Sequence, residues 1–362
     1  MKGTNALWKK LLAAVGIILG VVVLAVVFLL GWLSLGEYKP EEQEAVEILG
    51  EPGELLYPGA SVRVVTWNVG YGALGDNADF FMDGGTGVRT ADEERIMENM
   101  DAILDELKTL APDVIFLQEV DEDSDRTYGI NEAKLFMQSL KGYQTSFAYN
   151  FRVLFVPYPV PPIGGVNSGV MTLCAYPVSA AERMQLPCPF AWPVRLANLK
   201  RCMLVERVPV SGTDRELVLV NVHLEAYDSG EGKLAQTKML REFLEAEAEA
   251  GNYVIAGGDM NQIFSSVDDP FAARVGTWRP GVLDVSEFSE GWQFAMDTSA
   301  PSCRSLDRPL EGADPEDFTF YLIDGFIVSK ELAVTSLETQ SLGFRNSDHN
   351  PVLLEVRLPV LF

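Results

Sequence analysis

The 362-residue chain is 48% apolar and carries 28 basic against 52 acidic residues, a formal net charge of −24. That length and apolar content can bury a large core. The acidic balance counts against a dedicated, high-affinity binder of nucleic-acid backbones, which gains its affinity from basic patches.

From Leu11 to Gly36 no charged residue occurs. A helix of that length, at about 1.5 Å per residue, exceeds the roughly 30 Å hydrocarbon core of a bilayer. Lys2, Lys9 and Lys10 precede it, whereas Glu37, Glu41 and Glu42 follow it. The positive-inside rule therefore predicts a single-pass cell-membrane protein with residues 1–10 in the cytoplasm, a signal anchor at 11–36 and the rest extracytoplasmic. A cleaved signal peptide fits worse, because its apolar region runs only about 7–15 residues before a small-residue cleavage site. Residues 37–60, rich in Glu, Pro and Gly, read as a juxtamembrane linker, and one catalytic domain is expected over 61–362.

Within that domain, VRVVTWNVG reads as a strand ending at Asn68, and Asn77 to Thr90 as a loop insertion. Thr90 to Glu93 forms a capping box ahead of an amphipathic helix with Ile96, Met100, Ile103, Leu104 and Leu107 on its apolar face. Pro112 stops this helix, and Val114 to Leu117 run as a buried strand into Gln118 and Glu119. The prolines of Phe151 to Gly165 exclude that stretch from a central strand, leaving a stiff loop: either a lid packed on a sheet edge or an apolar lip beside a site.

A second unit repeats the order: strand Leu217 to Val222, His223, a polar loop, a helix with Leu234, Leu240, Phe243 and Leu244 inward, Gly251, then strand Tyr253 to Ala256. YVIAGGDMNQ delivers Asp259 and Asn261 to the end of that strand. FYLIDGFIVS buries Asp324 in an apolar run, which is costly unless the carboxylate is paired or bound. The pattern predicts an α/β fold, a mixed β-sheet sandwich flanked by helices, with polar residues gathered at one rim.

The chain has two histidines, His223 and His349, and both sit where strands meet loops crowded with carboxylates. Histidine is the side chain most often recruited for proton transfer near neutral pH. Cys174, Cys188, Cys202 and Cys303 show no CxxC or Cys/His metal spacing. Free thiols are the default, and Cys188 with Cys202 is the pair an extracellular location would favour.

The pieces TWNVG, LQEV, NSGVMTL, VNVHL, GGDMN, IDGFIVS and SDHNPV, spread from about Val62 to Val356, resemble in content and order the endonuclease/exonuclease/phosphatase superfamily. This is the group of deoxyribonuclease-I-like nucleases, apurinic endonucleases, neutral sphingomyelinases and inositol phosphatases. The resemblance implies a four-layered α/β sandwich, here preceded by one transmembrane helix, and metal-assisted phosphoester hydrolysis. Glu119 would hold a Mg²⁺, or a Mn²⁺, with Asn68 adding an amide to metal or phosphate, and Asp348 binding metal or orienting the site. Asp259 and Asn261 would take a proton from water and donate to phosphate. Asp324 would pair with His349, the general base or proton relay, while His223 would stabilise the phosphorus centre or protonate the leaving oxygen. Asn167 matches a segment that approaches the phosphate.

Inositol 5-phosphatases carry Asn-Tyr-Arg after the Gly-Asp motif and Trp-x-Asp-Arg at the later aspartate; this chain has GGDMNQ and YLIDGF instead, and lacks the Arg-rich loops of a DNA-clamping nuclease. The expectation is thus a membrane-anchored, extracytoplasmic phosphodiesterase or phosphatase acting on lipid headgroups. The alternative is a low-affinity extracellular nuclease with DNA or RNA as substrate. No feature of the sequence fixes an oligomeric state.

Overall fold

A computed structural model describes residues 2–228, 230–271 and 278–360. Helix α1 spans Lys2–Leu35, of which Trp8–Leu35 is long and apolar enough to cross a membrane. Strand β1 (Gln43–Ala45) follows. The segment expected to be a spacer is instead threaded onto the domain. β1 adds an edge strand by pairing with Glu182–Met184, Leu49 bridges to Thr145, and Leu56 is fully buried beside Val210. Ile48 and Leu56 supply the apolar anchors that hold it there.

The long strands are buried on both faces, and this decides the architecture. In β2 (Ser61–Asn68), Val62 and Val64 face the second sheet, whereas Val65 and Trp67 face helices. Helix α2 (Glu93–Leu110) and β3 (Val114–Asp121) repeat the logic, with Val114 and Phe116 on one side and Ile115 and Leu117 on the other. The cap of α2 is Asp92, whose carboxylate accepts from Arg95 N; Thr90 donates its hydroxyl to Ala73 O instead of forming the expected capping box.

Helix α3 (Glu132–Ser139) leads to β4 (Gln144–Val156) and β5 (Gly164–Cys174). The Phe151–Gly165 stretch is therefore strand as far as Val156, and the prolines begin just beyond it, on a sheet edge where a missing N–H costs nothing. Then come β6 (Ala180–Gln185), β7 (Cys202–Pro209), β8 (Glu216–His223), α4 (Glu231–Glu249) and β9 (Tyr253–Asp259). On α4, Leu240 and Leu244 are buried as expected, but Leu234 lies on the outer side, 63% exposed.

One mixed sheet has the order β1-β6-β7-β8-β9, then strands Asp324–Val328 and Gln293–Ala295. The other runs Ala333–Thr339, Val352–Arg357, β2, β3, β5, β4. They pack face to face through residues such as Phe116, Leu219, Ile255 and Phe326. Helices α2 and α3 cover one outer face and α4 the other, giving four layers. Between the sheets Gln118 donates to Asn221 Oδ1 at 2.8 Å, and Asn221 donates to Met171 O at 2.9 Å, a satisfied polar tie just beneath the rim where the strands end.

All four cysteines are free. Cys202 is buried and Cys188 lies exposed on a loop, so the pair expected from the extracellular location does not form a bridge.

Candidate active site

Three of the polar residues at the strand ends, His223, Asp259 and Asp324, occupy one row of a single sheet. β8 and β9 run parallel with His223 in register with Asp259, and the antiparallel strand beyond places Asp324 opposite the same Asp259. Such a row needs β9 to lie close against its neighbour. At Gly258 (φ 150°) an added Cβ would fall 1.9 Å from Val222 O, so the Gly before Asp259 is required by contact as well as by conformation.

The second sheet brings Asn68 at the end of β2 and Glu119 near the end of β3. Glu119 has φ 55° and sits where the β3–β5 register shifts between Leu117 and Val120, a bulge that turns its carboxylate to the rim. The Asn68 amide links the two sheets: Nδ2 donates to Glu119 Oε1 at 3.0 Å and to Asp259 Oδ2 at 3.1 Å. Its Oδ1 accepts from Gly70 N at 3.0 Å, so the oxygen expected to face a metal is already engaged.

The remaining groups arrive on loops. His349 Nδ1 is 2.8 Å from Asp324 Oδ2, and its Nε2 is 3.8 Å from Asp259 Oδ2. His223 Nε2 approaches that same oxygen at 3.4 Å. Asp259 Oδ1 accepts from Asn261 N at 2.9 Å, an Asx turn, and Asn261 (φ 49°) donates its side-chain amide to Leu224 O. Asp259 and Asn261 do not share an extended strand end as expected, because the chain turns between them, yet both line the same cavity. Asn167 does not join the cluster. Its amide donates to Asp123 O at 2.8 Å, and its neighbour Ser168 lines the cavity instead.

Burial and charge push the two histidines in opposite directions. Burial, the nearby Arg201 and then His349 hold His223 well below the ordinary imidazole value. Burial also opposes charge on His349, but Asp324 and the surrounding acidic groups outweigh it and hold His349 well above that value. Burial raises Asp259, with Asp324 adding to the effect, and carries Asp348 up to about 7. Two histidines thus stand either side of one carboxylate oxygen, one held below and the other above the ordinary imidazole value.

The donor set fits a hard divalent cation. Among the described residues, Asp348 Oδ1 and Asp324 Oδ1 are buried oxygens with no hydrogen-bond partner, a costly arrangement for carboxylates packed beside Glu119 and Asp259. Ligand atoms of Asp259, Asp324 and His349 lie within 4.8 Å of one another, as do those of Cys303, Asp348 and His349. Burial pushes the Cys303 thiol up to about 12. Gly70 makes room for Asp348: a Cβ there would lie 2.9 Å from Asp348 Oδ1.

Several supporting residues were not singled out from the sequence. Ser302 Oγ accepts from the backbone N–H groups of Ile323 and Asp324, fixing the strand start that carries Asp324. Trp67 Nε1 donates to His349 O, Ser347 Oγ donates to Asn68 O, and Arg304 donates to Gly75 O and Ala78 O. Trp67 and Ser347 lie inside TWNVG and next to DHN, so their places were visible though their roles were not. Ser302 and Arg304 carry no local signal.

The cluster opens into a cavity of about 770 Å³. A two-sheet sandwich thus gathers His, Asp, Asn and Glu into an oxygen-rich centre at one rim. Residues 65–349 match the model of the Endonuclease/Exonuclease/phosphatase family, and the chain belongs to that family, whose members are hydrolases acting on phosphoester bonds.

Solved structures agree in fold. An endonuclease/exonuclease/phosphatase from Beutenbergia cavernae DSM 12333 is 19% identical over 83% of this chain and 72% of its own, with a TM-score of 0.55. ANGEL2, a 2′,3′-cyclic phosphatase, is 14% identical over 88% of this chain and 99% of its own, at 0.53. An endonuclease/exonuclease/phosphatase from Bacteroides vulgatus is 16% identical over 83% and 99%, at 0.51. No curated protein matches the chain.

Proposed function

We propose that this protein is a membrane-anchored, divalent-metal-dependent phosphoester hydrolase whose catalytic domain lies outside the cytoplasm. The observation that carries the reading is the convergence of Asn68, Glu119, His223, Asp259, Asp324, Asp348 and His349 at one rim of two packed sheets. Charge placement supports the orientation, since lysines precede the apolar helix and glutamates follow it.

Glu119 and Asp348 would hold Mg²⁺ or Mn²⁺, with Asn68 and Asp259 beside them. A bound cation supplies neutralising charge to the phosphate oxygens. Asp259 would take the proton of an attacking water; its carboxylate is held by Asn68 and the Asn261 backbone N–H. Asp324 fixes the His349 ring through Nδ1, leaving Nε2 toward the cleft to donate to a charged phosphoryl oxygen. His223, neutral and next to Asp259, is a second donor or proton relay. Asn261 helps hold the turn that presents Asp259.

The test is a substrate panel on the full chain with Mg²⁺: a p-nitrophenyl phosphodiester, the corresponding monoester, phospholipid vesicles and plasmid. Metal-dependent release from at least one ester is the expected result. Absence of release from every ester at any Mg²⁺ or Mn²⁺ concentration overturns the proposal.

A further inference from the structure

The cavity at the catalytic rim does not end at the polar cluster. It is lined by Glu119, His223, Asp259 and His349 and also by Leu29, Leu30 and Leu33 of α1. Those leucines belong to the last two turns of the apolar helix, next to where it would leave a bilayer. Phe151, Val156, Ile163, Val194 and Leu196 add an apolar wall to the same cavity. A phosphate ester of a small sugar or nucleotide gives no reason for such a wall. A volume of about 770 Å³ is within the roughly 300–1,000 Å³ typical of small-molecule sites.

The helix end is fastened to the domain. Trp192 Nε1 donates to Ser34 Oγ at 3.2 Å, Glu37 pairs with Arg195 at 3.0 Å and Lys200 at 3.6 Å, and Leu33 is 4% exposed. The loops on either side carry large apolar side chains into the open: Tyr158 is 67% exposed, Val160 92%, Trp192 54% and Val194 57%. Exposed apolar side chains grouped beside a membrane helix form a surface suited to the interfacial layer of a bilayer.

We infer that the substrate is an acylated membrane phosphoester, whose headgroup phosphate reaches the Asp259–His349 cluster while its hydrocarbon chain lies along the Phe151–Leu196 wall toward α1. The inference rests on the hydrolase reading above and adds the chemical class of substrate. The helix is then part of the binding site, and the lipid enters along it directly from the membrane.

The test uses the full chain held in an amphipathic polymer, with a monodisperse series of p-nitrophenyl alkyl phosphodiesters of about two to six carbons. Burying one methylene is worth about fourfold in affinity, so kcat/KM should rise more than a hundredfold across the series. Val194→Asp, at an exposed position that tolerates charge, and Leu196→Asp should each flatten that slope at least tenfold in the long-to-short ratio. Vesicles of a zwitterionic phospholipid should be hydrolysed faster than plasmid of equal phosphate content. A flat chain-length series, an unaltered ratio in both variants, or exclusive cleavage of plasmid overturns the inference while leaving a working hydrolase. If no ester of the series, no vesicle and no plasmid is cleaved, the hydrolase reading fails and this inference fails with it.

Discussion

Asp324 Oδ2 lies 2.8 Å from His349 Nδ1, and both side chains are buried at the rim. The strand that carries Asp324 is the antiparallel neighbour of the one carrying Asp259, while His349 arrives from a loop 25 residues later. Asp324→Asn keeps the shape and removes the charge that holds the His349 ring through Nδ1. We expect kcat to fall about 100-fold or more with KM changed little, as measured by steady-state kinetics on a soluble phosphodiester. An unchanged kcat would remove His349 from the proton chemistry.

Glu119 and Asp348 are the proposed cation holders, so chelation should abolish turnover and Mg²⁺ should restore it. Glu119→Gln should raise the Mg²⁺ concentration for half-activation by at least about tenfold, since one charged oxygen ligand is lost. Wild-type melting temperature should also rise with added Mg²⁺, because a ligand that binds the folded state alone stabilises it, and the variant should lose most of that rise.

Glu206 of β7 is fully buried, with one carboxylate oxygen accepting from the Ser146 hydroxyl. Burial carries its carboxyl up to about 7 from an ordinary 4.5. The folded state therefore binds a proton more tightly than the unfolded chain. Stability from this group is fully present below pH 4.5 and is lost as pH rises through 7, by about 3 kcal/mol at pH 8. Glu206→Gln should melt higher than wild type at pH 8 and match it near pH 5. Equal differences at both pH values would contradict this account.

Leu56 is fully buried in the inter-sheet core although it lies before the first long strand. Leu56→Ala should cost about 2–4 kcal/mol in denaturant unfolding, the price of a cavity in a packed core. A cost near zero would mean that residues 37–60 act as a free spacer.

Much of the rim was legible because strands buried on both faces leave polar residues conspicuous: Asn68, His223, Asp259 and Asp324 interrupt runs that are otherwise apolar. Glu119 was legible as a residue type, but not the bulge and left-handed backbone that turn it inward. The Asx turn after Asp259 could be read from GDMN, yet its consequence, an Asn261 amide spent on Leu224 O, depends on a neighbouring strand. Asn167 sits in a matching motif but points to Asp123 O, a choice of face that one register step decides. Thr90 and Asp92 compete for the same cap, and local spacing alone favours the wrong one. The meeting of α1 with the Val194–Ala197 turn is a long-range packing event, and no pattern within either segment announces it.

The central claim is that Glu119, Asp259 and His349 act together in one metal-dependent phosphoester cleavage. Its most direct measurement is the rate of p-nitrophenyl phosphodiester hydrolysis by the full chain and by Glu119→Ala, Asp259→Ala and His349→Ala, each with Mg²⁺ and with chelator. The account predicts a Mg²⁺-dependent wild-type rate and, in every variant, a loss of at least about 100-fold, with folding preserved by thermal melting. A rate unaffected by chelator, or retained in all three variants, would contradict it.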